Sequence, residues 1–104
     1  MHNLKREPTQ PGKILNEDFL KPLGLSQTTL AKELNTTFRT VNEIVNEKRN
    51  ISPEMAMKLA RYFGTSAEVW LSLQNQYDLY RISARKPGIL ERIKPCGKLH
   101  RKVA

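Results

Sequence analysis

The side chains best placed to do chemistry lie in one run: Thr37, Phe38, Arg39 and Thr40, then Asn42, Glu43 and Asn46. A guanidinium, two carboxamides, hydroxyls, one ring and one carboxylate make a donor and acceptor mixture suited to base edges in the DNA major groove. Arg39 has the fork for guanine, Asn42 the paired donor and acceptor for adenine, and Phe38 or Thr40 an apolar contact for a thymine methyl. Glu43 repels phosphate, so on a DNA-facing surface it is expected to accept from a cytosine amine. Positioning contacts to phosphate are expected from Gln27 and Thr28, at a helix start with free N–H groups, and from Lys48 and Arg49, just after the run.

Nothing else in the chain assembles into a reactive site. The single cysteine, Cys96, rules out an internal disulfide and a cysteine-rich metal site. Its basic surroundings favour the thiolate, but a nucleophile also needs an oriented base, and the only histidines, His2 and His100, stand near the two ends. Glu17-Asp18 and Glu54 read as helix-face and helix-start charges. No enzyme activity, metal or cofactor is expected.

The groove-reading run needs a scaffold, and the apolar spacing supplies one. Ile14, Leu15, Phe19 and Leu20 follow one helix face, with Pro11 suited to the first turn and Pro22 and Gly24 expected to stop the helix. Ser26 can cap a second helix with Leu30, Ala31 and Leu34 inward, and Thr37 a third with Val41, Ile44 and Val45 inward. Ser52-Pro53-Glu54 is a strong start for a fourth helix carrying Ala56, Leu59, Ala60 and Phe63, ended by Gly64. Ser66 caps a fifth, in which Val69, Trp70, Leu73, Tyr77 and Tyr80 recur at helical spacing. Met55 is a candidate core filler and Met57 an exposed neighbour. Nothing reads as a period-two strand, so the fold is expected to be all-α: five helices.

Helices two and three, joined by a short turn, must cross closely. That crossing requires a small residue on the first, Ala31, and apolar residues three apart on the second, Val41 and Ile44. This is the sequence form of a helix-turn-helix, although the same spacing also fits an ordinary αα-hairpin with a polar outer face. One turn position departs from the pattern: Asn35 stands where glycine is usual, although asparagine tolerates the left-handed conformation better than most residues. Trp70 reads as a core anchor or a dimer-interface residue. The long face it shares with Leu73, Tyr77 and Tyr80 makes these four the candidate dimer contacts.

Of the 104 residues, 18 are Lys or Arg and 10 Asp or Glu, a formal charge of +8. The excess sits at one end. From Arg81 onward the basic residues are Arg81, Arg85, Lys86, Arg92, Lys94, Lys98, Arg101 and Lys102 against Glu91 alone, and the preceding part is nearly neutral. Three regions follow: a loose arm at 1–10, a helical domain at 11–84 and a basic extension at 85–104. The extension either has too little apolar surface to order or forms a short helix on Ile89, Leu90 and Ile93. It fits nucleic acid, an acidic protein or an anionic surface. The N-terminus lacks an apolar leader and no run can span a bilayer, so a cytoplasmic location is expected.

The run PGKILNEDFLKPLGLSQTTLAKEL, then VNEIVNEKRNIS, then EMAMKLARYFGTSAEVWLSLQNQYDL resembles the HigA-type, or VapI-like, antitoxins. These lie within the Xre/Cro group of lambda-repressor-like helix-turn-helix proteins. The match runs from about Pro11 to Leu79 and includes the PLGLSQ lead-in and the EVWLSLQNQYDL helix. The resemblance implies a homodimer that represses its own operon at an inverted-repeat operator. It also implies a partner, a HigB-type toxin of the RelE-like, mRNA-cleaving kind. The DNA positions it carries over are Gln27, Thr37, Arg39, Asn42 and Lys48. Glu47 stands where the family's turn usually has glycine, so Asn46-Glu47-Lys48-Arg49 is expected to hold no residue free to take positive φ. A stand-alone repressor without a toxin, and an interaction module that kept only the fold, are the competing readings.

Overall fold

The computed structural model describes residues 7–85 and 87–97. Residues 1–6 of the arm expected at 1–10, both histidines, Lys86 and the basic residues beyond Gly97 lie outside the described residues. Five helices form: α1 (residues 11–23), α2 (Gln27–Glu33), α3 (Phe38–Val45), α4 (Pro53–Phe63) and α5 (Ala67–Arg85), with a short 3-10 turn at Pro87–Ile89. Among the described residues there is no strand.

Helix starts follow the expected chemistry. The hydroxyls of Ser26, Thr37, Ser52 and Ser66 accept from the N–H groups of Thr29, Thr40, Met55 and Val69, each at 3.0 to 3.1 Å. Each supplies an acceptor to a donor that the helix cannot satisfy internally. Helix α1 starts differently. Gln10 belongs to the domain rather than to a loose arm: it is buried, and its Oε1 accepts from Gly12 and Lys13 N–H at 2.7 and 3.3 Å.

The ends of α1 and α3 depart from the sequence expectation. Pro22 does not stop α1 but lies inside its last turn, and Gly24, at φ 62, ends the helix. A proline there has no N–H to give and crowds the carbonyl four residues back. The preceding π-helical stretch, Leu15–Leu20, widens the turn, with Lys21 N–H reaching Asn16 O. Asn35 and Glu47 themselves take the left-handed conformation, at φ 55 and 64. Thr36 N–H then bonds Ala31 O (2.9 Å), and Lys48 N–H bonds Glu43 O (2.8 Å). Both are Schellman closures, which require positive φ whatever residue occupies the position.

The core joins Leu15, Leu20, Leu30, Ala31, Leu34, Val41, Ile44, Ile51, Met55, Ala56, Leu59 and Trp70. As expected, Met55 is buried and Met57 exposed. Phe19 binds the layers together, its ring 4.8 Å from Phe63 and 5.2 Å from Trp70. Trp70 is 1% exposed, and its Nε1 donates to Thr65 Oγ1 at 2.7 Å. It is a core residue, and its place among the dimer contacts is withdrawn. Tyr77 is also buried, with Arg81 over its ring at 5.7 Å, so its own chain already covers most of it. Leu73 and Tyr80 remain half-buried.

Candidate nucleic-acid interface

Helix α3 is held from beneath and left open above. Val41 and Ile44 are each about 1% exposed. Burial of side chains of this size stabilises by about 1.5–3 kcal/mol apiece. Ala31 keeps α2 close, and from α1 Gly12 packs so tightly that a Cβ built on it would collide with the Ile44 carbonyl. The loop after α3 is fixed from below: Ile51 N–H donates to the buried Gln74 Oε1 at 2.9 Å, and Gln74 Nε2 donates to Asp78 at 3.1 Å. Neither Gly12 nor Gln74 stands out in the sequence, because their partners lie far along the chain.

On the open side the structure brings the expected residues together. Thr37, Phe38, Arg39 and Asn46 are exposed, while Thr40, Asn42 and Glu43 are half-buried. Thr37 and Thr40 hydroxyls pair at 2.9 Å, so the first turn of α3 is internally ordered. Asn42 Nδ2 donates to Gln27 Oε1 at 3.0 Å, a bond across the two crossing helices. That bond uses one of the carboxamide's two N–H groups and leaves its oxygen and other N–H for a base. Ser26 takes the Thr29 N–H, which leaves the first-turn N–H groups of Gln27 and Thr28 for an outside acceptor such as phosphate.

Glu43 is placed differently from the expectation. Its Oε2 accepts from Arg39 Nε at 3.0 Å and its Oε1 from Arg49 Nε at 2.9 Å, and Arg49 Nη2 makes an ion-pair contact with Oε1 at 2.7 Å. The hydrogen bonds from Arg39 and then Arg49 hold its carboxyl below the usual range. Both oxygens are thus engaged, Oε2 by a single donor with capacity left for another, and its charge is offset before DNA arrives. The Arg39–Glu43 pair follows from their four-residue separation on a helix. The Arg49 contact depends on the chain reversal at Glu47 and has no local signal. Lys48 and Arg49 are both exposed, immediately beyond that reversal.

A sequence model described as helix-turn-helix, HTH_3, matches residues 17–70. Virulence-associated protein I of Dichelobacter nodosus is 47% identical over 79 residues, which cover 76% of this chain and 73% of that protein. The Pseudomonas aeruginosa antitoxin HigA, solved with the higBA promoter, superposes with a TM-score of 0.77 at 43% identity, over 85% of this chain and 97% of that one. The chain belongs to the HigA and VapI-like helix-turn-helix family. A further member, the antitoxin GraA in complex with its operator, has a TM-score of 0.79 at 35% identity, covering 100% of this chain and 99% of its own. The HigA-like fold is the five-helix, lambda-repressor-like one, and the family is non-enzymatic. Among the described residues no cluster of His, Cys, Asp or Glu could hold a metal, and no helix is long and apolar enough to cross a membrane.

Proposed function

We propose that this chain is the antitoxin and autorepressor of a toxin–antitoxin operon. As a homodimer it places two copies of α3 in successive major grooves of an inverted repeat, with half-sites about 10–10.5 bp apart. The observation that carries the reading is the Asn42–Gln27 bond on an otherwise open α3, in a chain whose relatives include antitoxins solved on promoter and operator DNA. Phe38, Arg39, Thr40 and Asn42 read bases, with Thr37 and Asn46 at the ends of the reading surface. Gln27, Thr28, Lys48 and Arg49 position the protein on phosphates. Leu73 and Tyr80, with the exposed Leu79 and Ile82 of α5, are the proposed dimer contacts. The protein partner is a HigB-type toxin, a RelE-like mRNA-cleaving enzyme.

Binding to the promoter DNA of its own operon, compared with random DNA at two salt concentrations, tests the repressor half. Arg39→Ala should cost about 1–3 kcal/mol and relax discrimination at one base pair. Lys48→Ala should weaken all sequences alike and reduce the salt slope by about one. Equal losses on operator and random DNA for Arg39→Ala would refute base reading. Co-purification with the product of an adjacent short, basic reading frame, and rescue of growth when both are expressed, tests the antitoxin half. Without such a partner the chain is a stand-alone repressor.

A further inference from the structure

We propose that Glu43 is a positioning residue that sets operator specificity through the two arginines it holds, rather than by touching a base. The inference rests on the operator-binding reading above. Glu43 accepts from Arg39 Nε on one oxygen and from Arg49 Nε on the other, with Arg49 Nη2 in ion-pair contact at 2.7 Å. The effects on the two arginines are opposite.

Arg39 is held at Nε alone, and the side chain is 83% exposed. Its two terminal nitrogens, the pair that reaches guanine O6 and N7, stay available. Fixing Nε removes rotational freedom that a long side chain would otherwise lose on binding, so the fork meets the groove already oriented. Arg49, in contrast, has two of its three nitrogens engaged, which leaves one edge for phosphate. The trio carries a single net positive charge instead of two. Sequence-independent binding scales with the number of phosphates neutralised, so Glu43 lowers random-DNA affinity while it sharpens the base contact. A carboxylate on a DNA-facing helix thus raises the ratio between the two.

The test compares the full-length wild type with Glu43→Gln, Glu43→Ala, Arg39→Ala and the Arg39→Ala/Glu43→Ala double variant. Each is bound to the promoter operator, to its single-base-pair variants and to random DNA at several salt concentrations. Glu43→Gln, which loses the charge but keeps an acceptor oxygen, should steepen the salt slope on random DNA by about one and lose specificity in part. Glu43→Ala should do both in full, with about a tenfold loss of preference at the same base pair that Arg39→Ala makes indifferent. The double variant should lose no more preference there than Arg39→Ala alone. In the DNA-free protein, the Nε–H resonances of both Arg39 and Arg49 should shift in the two Glu43 variants. Loss of preference at a different base pair, with that of Arg39 intact, would mean Glu43 reads a base itself and would overturn the inference. Unchanged salt slope and preference would also overturn it. A wild type that binds operator and random DNA alike would instead overturn the operator-binding reading, and this role with it.

Discussion

Asn42 and Gln27, fifteen residues apart on the two crossing helices, are joined by a 3.0 Å hydrogen bond from carboxamide to carboxamide. The bond fixes which way the Asn42 amide faces: with Nδ2 toward α2, its remaining N–H and its oxygen form an ordered pair toward solvent. In the operator-binding role proposed above, Gln27 would therefore contribute to base choice without needing to reach a base.

Gln27→Ala should weaken operator binding and reduce discrimination at the base pair read by Asn42, with little change on random DNA. In a double-mutant cycle with Asn42→Ala the two losses should not add, giving a coupling of about 0.5–3 kcal/mol. Simple additivity, measured by fluorescence anisotropy on operator variants, would show that the amides act separately.

Gly12 is required by space, not by backbone freedom. Gly12→Ala should destabilise the fold by about 1–3 kcal/mol, the cost of overpacking, because the rigid Ile44 carbonyl has to give way. Since Ile44 is the inward anchor of α3, operator affinity should fall with stability. Denaturant titration and DNA binding of the same preparation check both effects.

Glu47 holds a left-handed conformation at φ 64 without the freedom of glycine. Side chains in that region cost about 1–2 kcal/mol, and glycine gives part of the gain back through its unfolded-state entropy. Glu47→Gly should therefore raise stability by up to about 1 kcal/mol and keep the Schellman closure. Asn35→Gly should gain less, since asparagine tolerates this region better. Thermal unfolding of the two variants ranks them, and the opposite order would contradict the account.

Acid should dismantle the Arg39–Glu43–Arg49 trio. The carboxyl is held below its ordinary value of 4.5, first by the bond from Arg39 and then by that from Arg49. Its folded state thus favours the charged form, and the pairing is intact at pH values above 4.5 and lost as pH falls through the lowered value. Arginine does not titrate in this range. Operator preference is expected to be flat from about pH 8 to 6, and the two arginine Nε–H signals to move only in more acidic solution. A transition near neutrality would exclude Glu43 as the titrating group.

The open face of α3 was legible in the sequence to the extent that it is made of short-range chemistry. Ser26, Thr37 and Ser52 announce helix starts because a cap acts within three residues. Ala31, Val41 and Ile44 announce the crossing because burial follows helical spacing. Periodicity does not reveal what covers a buried face, and so Trp70 and Tyr77 read as possible dimer contacts, although within one chain Trp70 packs on Phe19 and bonds Thr65, and Tyr77 is buried with Arg81 over its ring. Residue preference also misled at Glu47. The closure needs positive φ there, and hydrogen bonds from two N–H groups outweigh the strain of a non-glycine residue. Gly12 and Gln74 had no local signal, since each is defined by a partner more than twenty residues away.

The sealed indole has a practical corollary. Trp70 is the chain's one tryptophan, is 1% exposed, and its indole N–H donates to the nearby Thr65. Intrinsic fluorescence excited in the red edge of the absorption band should hence register loss of the globule as a whole and remain nearly constant while α3 docks, so that one optical channel can follow unfolding in the presence of bound nucleic acid.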